Sequence, residues 1–216
     1  MKILESAPDR YDKGIDILSF GKLSQAYDRL ISHIQKGQKV LDIGCGTGAL
    51  TIKAARRDAK VTGIDINPQM LDIAKKHAEA FHLSDRIRFI EAGVAEMESM
   101  EAKSFDVVMS GLCFSELSED EQAYALKQIK RILKDGGMLL LADETIAGNF
   151  FLRAINLPVK IVIKIITYVL TQTGTHAIRH LPEKVKKAGF KIESLRFNKM
   201  QDFIEVTAIK YKEAGS

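Results

Sequence analysis

Apolar and polar residues follow two different periods along this chain of 216 residues, and the two periods alternate. Short apolar runs, which are typical of buried strands, occupy residues 39–44, 60–66, 87–93, 105–111 and 137–144. Between them, segments with an apolar residue every three or four positions predict helices at 49–58, 69–83 and 120–133. This alternation predicts right-handed βαβ crossovers and a parallel sheet with helices on both faces.

The pattern changes at both ends of the chain. Apolar positions at helical spacing in 14–35 predict one or two helices before the first strand. Towards the other end, an apolar segment occupies 148–175, and the residues after it predict a short helix at 181–189 and two strands at 190–198 and 202–212. We therefore expect a single α/β domain over 1–216, to which N-terminal helices in 1–36 and an apolar cap segment, 148–175, are added.

Three glycines, Gly44, Gly46 and Gly48, stand between the first predicted strand and its helix. Glycine is costly in backbone entropy, so it is expected where φ must be positive or where something touches the main chain. In an open parallel sheet, this turn lies at the ligand-binding edge. Gly44, Gly46 and Ala49 formally meet a dinucleotide fingerprint. Because Asp65 follows at the end of the next strand, an NAD-dependent oxidoreductase is one alternative.

An acid two residues before the turn, Asp42, argues against a dinucleotide. Its carboxylate would repel a pyrophosphate but would attract a ligand that carries an ammonium group. S-adenosylmethionine has an ammonium that can lie near Asp42 and ribose hydroxyls that Asp65 can hold by paired hydrogen bonds. The residues therefore favour S-adenosylmethionine as the cofactor.

The turn and its two acids, with FDVVMSG at 105–111 and LKDGGMLLLAD at 133–143, resemble the class I S-adenosylmethionine-dependent methyltransferases over residues 35–145. The resemblance implies a Rossmann-like, seven-stranded, mostly parallel sheet with one antiparallel strand, which the two late strands would supply. It also implies a donor site. Its members are Asp42, Gly44, Cys45 and Gly46 at the methionine end, Asp65 at the ribose, Ile66 and Met70 near the adenine, and Ser110 and Gly111 beneath the ligand.

One position departs from the family pattern. The third strand of these enzymes usually ends in an acid that receives the adenine amino group, whereas this chain has Gly93 there. The backbone of Val94 and the carboxylate of Glu96 are the substitutes that the sequence offers. Gly93 and Val94 are therefore included among the expected cofactor-binding residues.

The acceptor side is less well defined by sequence. Methyl transfer is an in-line displacement, and it requires a general base only if the acceptor must lose a proton. The loops after the fourth and fifth strands offer Glu116, Asp143 and Glu144 as catalytic candidates. Glu116 has an alternative interpretation as part of a solvated helix start, where the helix dipole favours acids.

Residues 150–174 form an apolar segment with a stripe of polar residues at helical spacing. Three basic residues and Pro158 in this segment argue against a transmembrane span. Two interpretations remain open. The segment is either a cap that walls the acceptor pocket, or it makes peripheral membrane contact through 150–170 with its lysine stems snorkelling.

Two narrower resemblances concern the acceptor. LESAPDRYDKGIDILSFGKL, joined to AYDRLISHIQKGQKVLDIGCGTGALT, is similar to the corrinoid protein-associated methyltransferases, and the motif core also resembles the ubiquinone/menaquinone C-methyltransferases. They imply a methyltransferase whose acceptor is a small apolar molecule or is corrinoid-linked. Arg10, Tyr11 and Asp12 are candidates either for a lid over the donor or for a helix N-terminus with a packed aromatic. A non-catalytic S-adenosylmethionine-binding partner of a corrinoid system is the alternative outside the enzymes.

Composition narrows the partners and the location. The net charge of +4 comes from scattered Lys and Arg, so no nucleic acid is expected as a partner. Cys45 and Cys113 lack the spacing of a zinc or redox site, and no metal is expected. The charged N-terminus is unlike a signal peptide, which predicts a cytoplasmic protein, peripheral at the membrane if 150–170 makes that contact. A monomer and a homodimer both fit the sequence.

Overall fold

The computed structural model describes residues 22–145 and 177–211. Its helices are α1 (Lys22–Ile31), α2 (Ala49–Ala55), α3 (Pro68–Ala80), α4 (Glu119–Ile132) and α5 (Leu181–Lys187), with 3₁₀ turns at Glu96–Ser99 and Phe114–Glu116. Its strands are β1 (Lys39–Ile43), β2 (Lys60–Asp65), β3 (Ile87–Glu91), β4 (Phe105–Gly111), β5 (Leu133–Glu144), β6 (Phe190–Phe197) and β7 (Phe203–Lys210). The predicted lid residues and the cap segment 148–175 lie outside the described residues.

The strands form one seven-stranded sheet in the order β3-β2-β1-β4-β5-β7-β6. Strands β1 to β5 pair in parallel, and β7 pairs antiparallel with both β5 and β6. The expected fold class is thereby confirmed, including the single antiparallel strand. Because β1 to β5 run the same way, their carboxyl ends meet at one edge of the sheet.

Helices cover both faces of the sheet, as the strand pattern requires. Successive residues of a strand point to opposite faces, so Leu41 joins the buried cluster beneath α4 and α5, whereas its neighbour Val40 joins the cluster beneath α1 and α2. The central strands are therefore apolar on both sides and read as continuous apolar runs. Among the helices of the described residues, none has both the length and the apolar character needed to cross a bilayer.

Local signals account for where the helices begin. Asn67 caps α3, and its side-chain oxygen accepts hydrogen bonds from the backbone of Gln69 and Met70. Ser118 and Glu121 form a reciprocal capping box at the start of α4. These caps fix the loops that leave β2 and β4, and both loops lie at the carboxyl edge of the sheet.

Strand β5 begins earlier than the sequence predicted. We expected it from residue 137, but its pairing with β4 starts at Leu133, before an irregularity in register. The extra residues include Gly136 with φ near 76°, so the glycine pair that looked like a turn before the strand is a bulge within it.

Candidate functional site

The loop between β1 and α2 has positive φ at Gly44, Gly46 and Gly48. A Cβ added to Gly44 would meet the side chain of Cys113, and one added to Gly48 would lie 3.2 Å from the Cβ of Ala74. At Gly46 an added Cβ would have nothing within 4 Å. Protein neighbours thus account for two of the glycines, and Gly46 alone of the three faces space that a ligand could enter.

Asp42, near the end of β1, is buried beneath this loop and is only 1% exposed. The hydroxyl of Thr51 on α2 donates a hydrogen bond of 2.5 Å to its Oδ2. Its Oδ1 is buried and has no hydrogen-bond partner among the described residues. Burial raises the pKa of Asp42 to about 7, the Thr51 hydrogen bond opposes the rise, and the charge of Asp65 adds to it.

Asp65, at the end of β2, links two loops of the carboxyl edge. Its Oδ2 accepts a hydrogen bond of 2.8 Å from the backbone amide of Gly46, and its Oδ1 accepts one of 2.8 Å from Asn67. A carboxylate oxygen has two acceptor positions, so each oxygen retains one for a further donor. The side chain is half-buried beside the β1–α2 loop.

The end of β3 shows how the chain compensates for Gly93. The turn Glu96–Ser99 brings the Glu96 side chain back, and its Oε2 accepts a hydrogen bond of 2.8 Å from the Gly93 amide. A Cβ on Gly93 would lie 2.9 Å from the Cγ2 of Ile66, whose side chain is 76% exposed. Val94 and Met70 are half-buried. A carboxylate therefore lies at the end of β3, although it comes from another position.

Two expected site residues at the end of β4 have structural contacts. The Ser110 hydroxyl is buried and donates a hydrogen bond of 2.9 Å to the carbonyl of Ile43 in β1. A Cβ on Gly111 would collide with the Tyr27 hydroxyl, which reaches this edge from α1. Cys45 is buried, and its Sγ would lie 3.0 Å from a Cβ on Gly63. Ser110, Gly111 and Cys45 thus support the edge by packing its strands.

Comparison with known proteins decides which class of ligand this edge suits. Residues 40–137 match a family model described as a methyltransferase domain. A ubiquinone/menaquinone biosynthesis C-methyltransferase, UbiE, of Allorhizobium ampelinum is 34% identical over 148 residues. Over this region the chain is similar to the class I S-adenosylmethionine-dependent methyltransferases. The match favours the methyl donor over the dinucleotide that the glycine fingerprint formally allowed.

The matched relatives are longer than the region they share with this chain. The Allorhizobium alignment covers 65% of this chain and 56% of the relative. A demethylmenaquinone methyltransferase of Staphylococcus aureus is 31% identical over 149 residues, which cover 67% of this chain and 59% of the relative. The chain thus spans less than two thirds of either relative. The corrinoid resemblance stays a prediction.

A solved structure supports the fold independently. An O-methyltransferase family protein from Burkholderia thailandensis superposes with a TM-score of 0.72 and 19% identity, covering 94% of this chain and 59% of the neighbour. At that identity the likeness concerns the fold alone. Since relatives described as C-methyltransferases share this fold with an O-methyltransferase, the fold does not choose the acceptor atom.

Near the ends of β4 and β5, the three candidate carboxylates occupy different surroundings. Asp143 is 2% exposed, and its oxygens accept hydrogen bonds from the backbone amides of Ser115 at 3.2 Å and Glu144 at 2.7 Å. Burial raises its pKa to about 7 although these hydrogen bonds oppose the rise. Glu144 is half-buried at the end of β5. Glu116 is solvent-exposed and ends its 3₁₀ turn three residues before α4 begins.

Glu116 belongs to the same edge of the sheet as Asp42 and Asp65. Its pKa is raised, first because the surrounding protein hinders its solvation and second because Asp65 lies near enough to repel its charge. The solvated-helix-start interpretation is incomplete, because the residue lies outside α4. Among the described residues, no group of three or more His, Cys, Asp or Glu side chains could hold a metal ion.

Sequence reasoning missed the residues that support this edge. Thr51 holds Asp42, and Tyr27 packs on Gly111, but nothing in the motif pattern marks either residue. Gln122 of α4 donates to the carbonyls of Phe114 and Leu117 and so braces the turn that carries Glu116.

A separate cavity of about 610 Å³, lined in part by His33, lies at the opposite edge of the sheet, near the amino ends of the strands.

Proposed function

We propose that this protein transfers a methyl group from S-adenosylmethionine to a ring carbon of a hydroxylated aromatic acceptor of the quinol type. The observation that carries the donor half is the buried Oδ1 of Asp42, which has no partner among the described residues. A buried charged atom without a partner is costly, and a ligand ammonium would satisfy it. The acceptor half is supported by relatives that are described as quinone-biosynthesis C-methyltransferases.

The residues present fit the donor. We assign its ammonium to Asp42 and its ribose hydroxyls to the remaining acceptor positions of Asp65. The open space at Gly46 allows the donor to approach the backbone closely. The adenine amino group is assigned to Glu96, whose carboxylate lies where Gly93 has no side chain. When bound, S-adenosylmethionine supplies an electrophilic methyl group, and the protein holds the acceptor in line with it.

The electronic character of the acceptor follows from that chemistry. A quinone ring is electron-poor and is a weak nucleophile towards a sulfonium methyl group. The reduced ring carries two hydroxyls that push electrons onto its carbons, so the quinol is the reactive form. Replacing a ring hydrogen by methyl also releases one proton, so this reaction belongs to the cases in which a general base contributes.

The proposal is tested by incubating the purified protein with methyl-labelled S-adenosylmethionine and dithionite-reduced demethylmenaquinol, or a benzoquinol that lacks its ring methyl. We expect S-adenosylhomocysteine and a product in which nuclear magnetic resonance places the label on a ring carbon. The variant Asp42→Asn tests the donor half. It should lower the affinity for S-adenosylmethionine at least about tenfold, because a charged hydrogen bond is lost. Donor binding without transfer to either quinol would contradict the acceptor half, and no donor binding at millimolar concentration would contradict the whole proposal.

A further inference from the structure

We propose that Glu116 is the general base that removes the acceptor proton, and that Asp143 is the positioning residue that holds the Glu116 turn in place. This inference rests on the proposed function, since only an acceptor that loses a proton needs a base. It separates the roles of two carboxylates that sequence reasoning had placed together as catalytic candidates.

The turn that carries Glu116 is held from several sides. The backbone amide of Leu112 donates to the carbonyl of Ala142 in β5 at 2.9 Å, which fixes the start of the loop. The Ser115 amide donates to Asp143 Oδ2 at 3.2 Å, and Phe114 is only 1% exposed in the core. Gln122 Nε2 donates to the carbonyl of Phe114 at 3.0 Å. A side chain on such a turn has a fixed point of attachment although it is exposed.

The two carboxylates differ in how much of their hydrogen-bonding capacity is used. Asp143 is buried, and both of its oxygens accept hydrogen bonds from backbone amides, so its role is to hold other parts of the protein in place. The Glu116 carboxylate is solvent-exposed, and among the described residues none is hydrogen-bonded or ion-paired to it. Cys113, three residues before Glu116, lies against Gly44, so the Glu116 turn adjoins the β1–α2 loop, to which Asp65 is hydrogen-bonded through the Gly46 amide. Glu116 is therefore the candidate that a bound acceptor can reach.

The proposed reaction balances with Glu116 as the proton acceptor. Glu116 takes the proton of a ring hydroxyl, and the oxygen's electron pair moves through the ring to the neighbouring carbon. That carbon forms a bond to the methyl group, the carbon–sulfur bond breaks, and its electron pair stays on sulfur. The hydrogen on the methylated carbon then moves to the ring oxygen through solvent, which restores aromaticity. One proton remains on Glu116 and passes to water.

The test compares Glu116→Ala with Asp120→Asn, which removes an exposed carboxylate nearby on the first turn of α4. We expect Glu116→Ala to lower kcat with the quinol by about 10² to 10⁴, the usual contribution of a general base. Its donor Kd by calorimetry should stay within about twofold of the wild type, because the donor contacts remain. Added acetate should restore part of the lost kcat, because Glu116 is exposed and a small base can take its place. Asp120→Asn should turn over normally.

Asp143→Asn tests the positioning role. An amide NH₂ in place of one carboxylate oxygen cannot accept from Ser115, so kcat should fall with little change in donor Kd, and acetate should not restore it. Glu116→Ala at the wild-type kcat, or unaffected by acetate, overturns the assignment of the base. If Glu116→Ala fails to fold, Glu116→Gln replaces it, and the same kcat loss without loss of donor binding is required. A wild type that methylates neither quinol overturns the proposed function instead.

Discussion

At the scale of single residues, the proposed donor site predicts that Asp42 couples donor binding to proton release. Its pKa is raised to about 7 by burial, so near pH 6 the carboxyl is mostly protonated in the free protein. An ammonium beside it favours the carboxylate, so binding should expel a proton, and donor affinity should rise as the pH rises through about 7. Calorimetry at pH 6 in buffers of different ionisation enthalpy measures that proton directly.

Asp42→Asn is the control for this coupling. The amide can still accept the hydrogen bond from Thr51, but it has no proton to release, so the buffer dependence of the binding enthalpy should disappear. Proton release in the variant equal to that in the wild type would assign the coupling to another group. An affinity that falls between pH 6 and 7.5 would contradict the arrangement of ammonium and carboxylate.

For single residues, the sequence predicted positions but not contacts. Asp42 and Asp65 could be placed at one edge, because both stand at the ends of apolar runs and parallel strands end together. The state of the two Asp42 oxygens could not be read from sequence, since it depends on the fold: Thr51 donates to Oδ2 across the β1–α2 loop, and Oδ1 is buried without a partner among the described residues. Nor could the difference between Asp143 and Glu116, which follows from a contact with Ser115 across 28 positions.

At the scale of elements, the turn Glu96–Ser99 supplies a carboxylate that β3 lacks. We predict that Glu96→Ala weakens S-adenosylhomocysteine binding by about 1.5 to 3 kcal/mol, the range for a hydrogen bond to a charged group. Binding of S-inosylhomocysteine, which has no adenine amino group, should change little. Competition titrations with both ligands measure the discrimination directly.

Glu98→Ala is the matched control, because Glu98 lies on the same turn and its carboxylate contacts Tyr124 on α4 instead. It should leave the preference for the adenine ligand intact. If Glu96→Ala weakens both ligands equally, the carboxylate only supports the Gly93 backbone. The core elements were predictable from their periods, and Glu96 could be named as one of two substitutes. The contact of its carboxylate with Gly93 could not be predicted, because turn geometry rather than periodicity directs the side chain.

Elements whose sequence signal conflicted with their pairing were the ones misplaced. The start of β5 was missed because Gly136 and Gly137 are typical turn residues, whereas pairing between Phe105 and Leu133 extends the strand past them. The cap of α3 shows no such conflict, because Asn67 followed by proline is a local signal that needs no tertiary contact. Local chemistry and the order of the elements are therefore readable, whereas a strand extended past glycines by its pairing is not.

At the scale of the whole molecule, the binding edge should cost the ligand-free protein stability at neutral pH. Asp42 and Asp143 both have pKa values raised to about 7 by burial. Folding therefore favours their protonated forms. Their stabilising contribution is fully present below the unfolded pKa near 3.8 and is lost as the pH rises through about 7. Each carboxyl accounts for at most about 4 kcal/mol, since one pKa unit corresponds to about 1.4 kcal/mol.

Other carboxylates make the free energy of unfolding change with pH in the opposite direction, and they do so at acid pH. Arg86 lowers the pKa of Asp58, and Lys103 lowers that of Asp135, so their contributions are lost as the pH falls through those lowered values. We therefore expect the free energy of unfolding of the ligand-free protein to be greatest near pH 4 and to decline by several kcal/mol between pH 5 and pH 8. Urea unfolding at pH 5, 6.5 and 8 measures the decline.

The variant Asp42→Asn should remove about half of this decline in the free energy of unfolding, because it leaves only Asp143 to ionise. Saturating S-adenosylhomocysteine should restore stability most at pH 8, where the donor ammonium meets an ionised Asp42. Stability that stays level or rises from pH 5 to 8 would show that these two carboxyls are ionised without cost, and the electrostatic basis of the donor site would then be wrong.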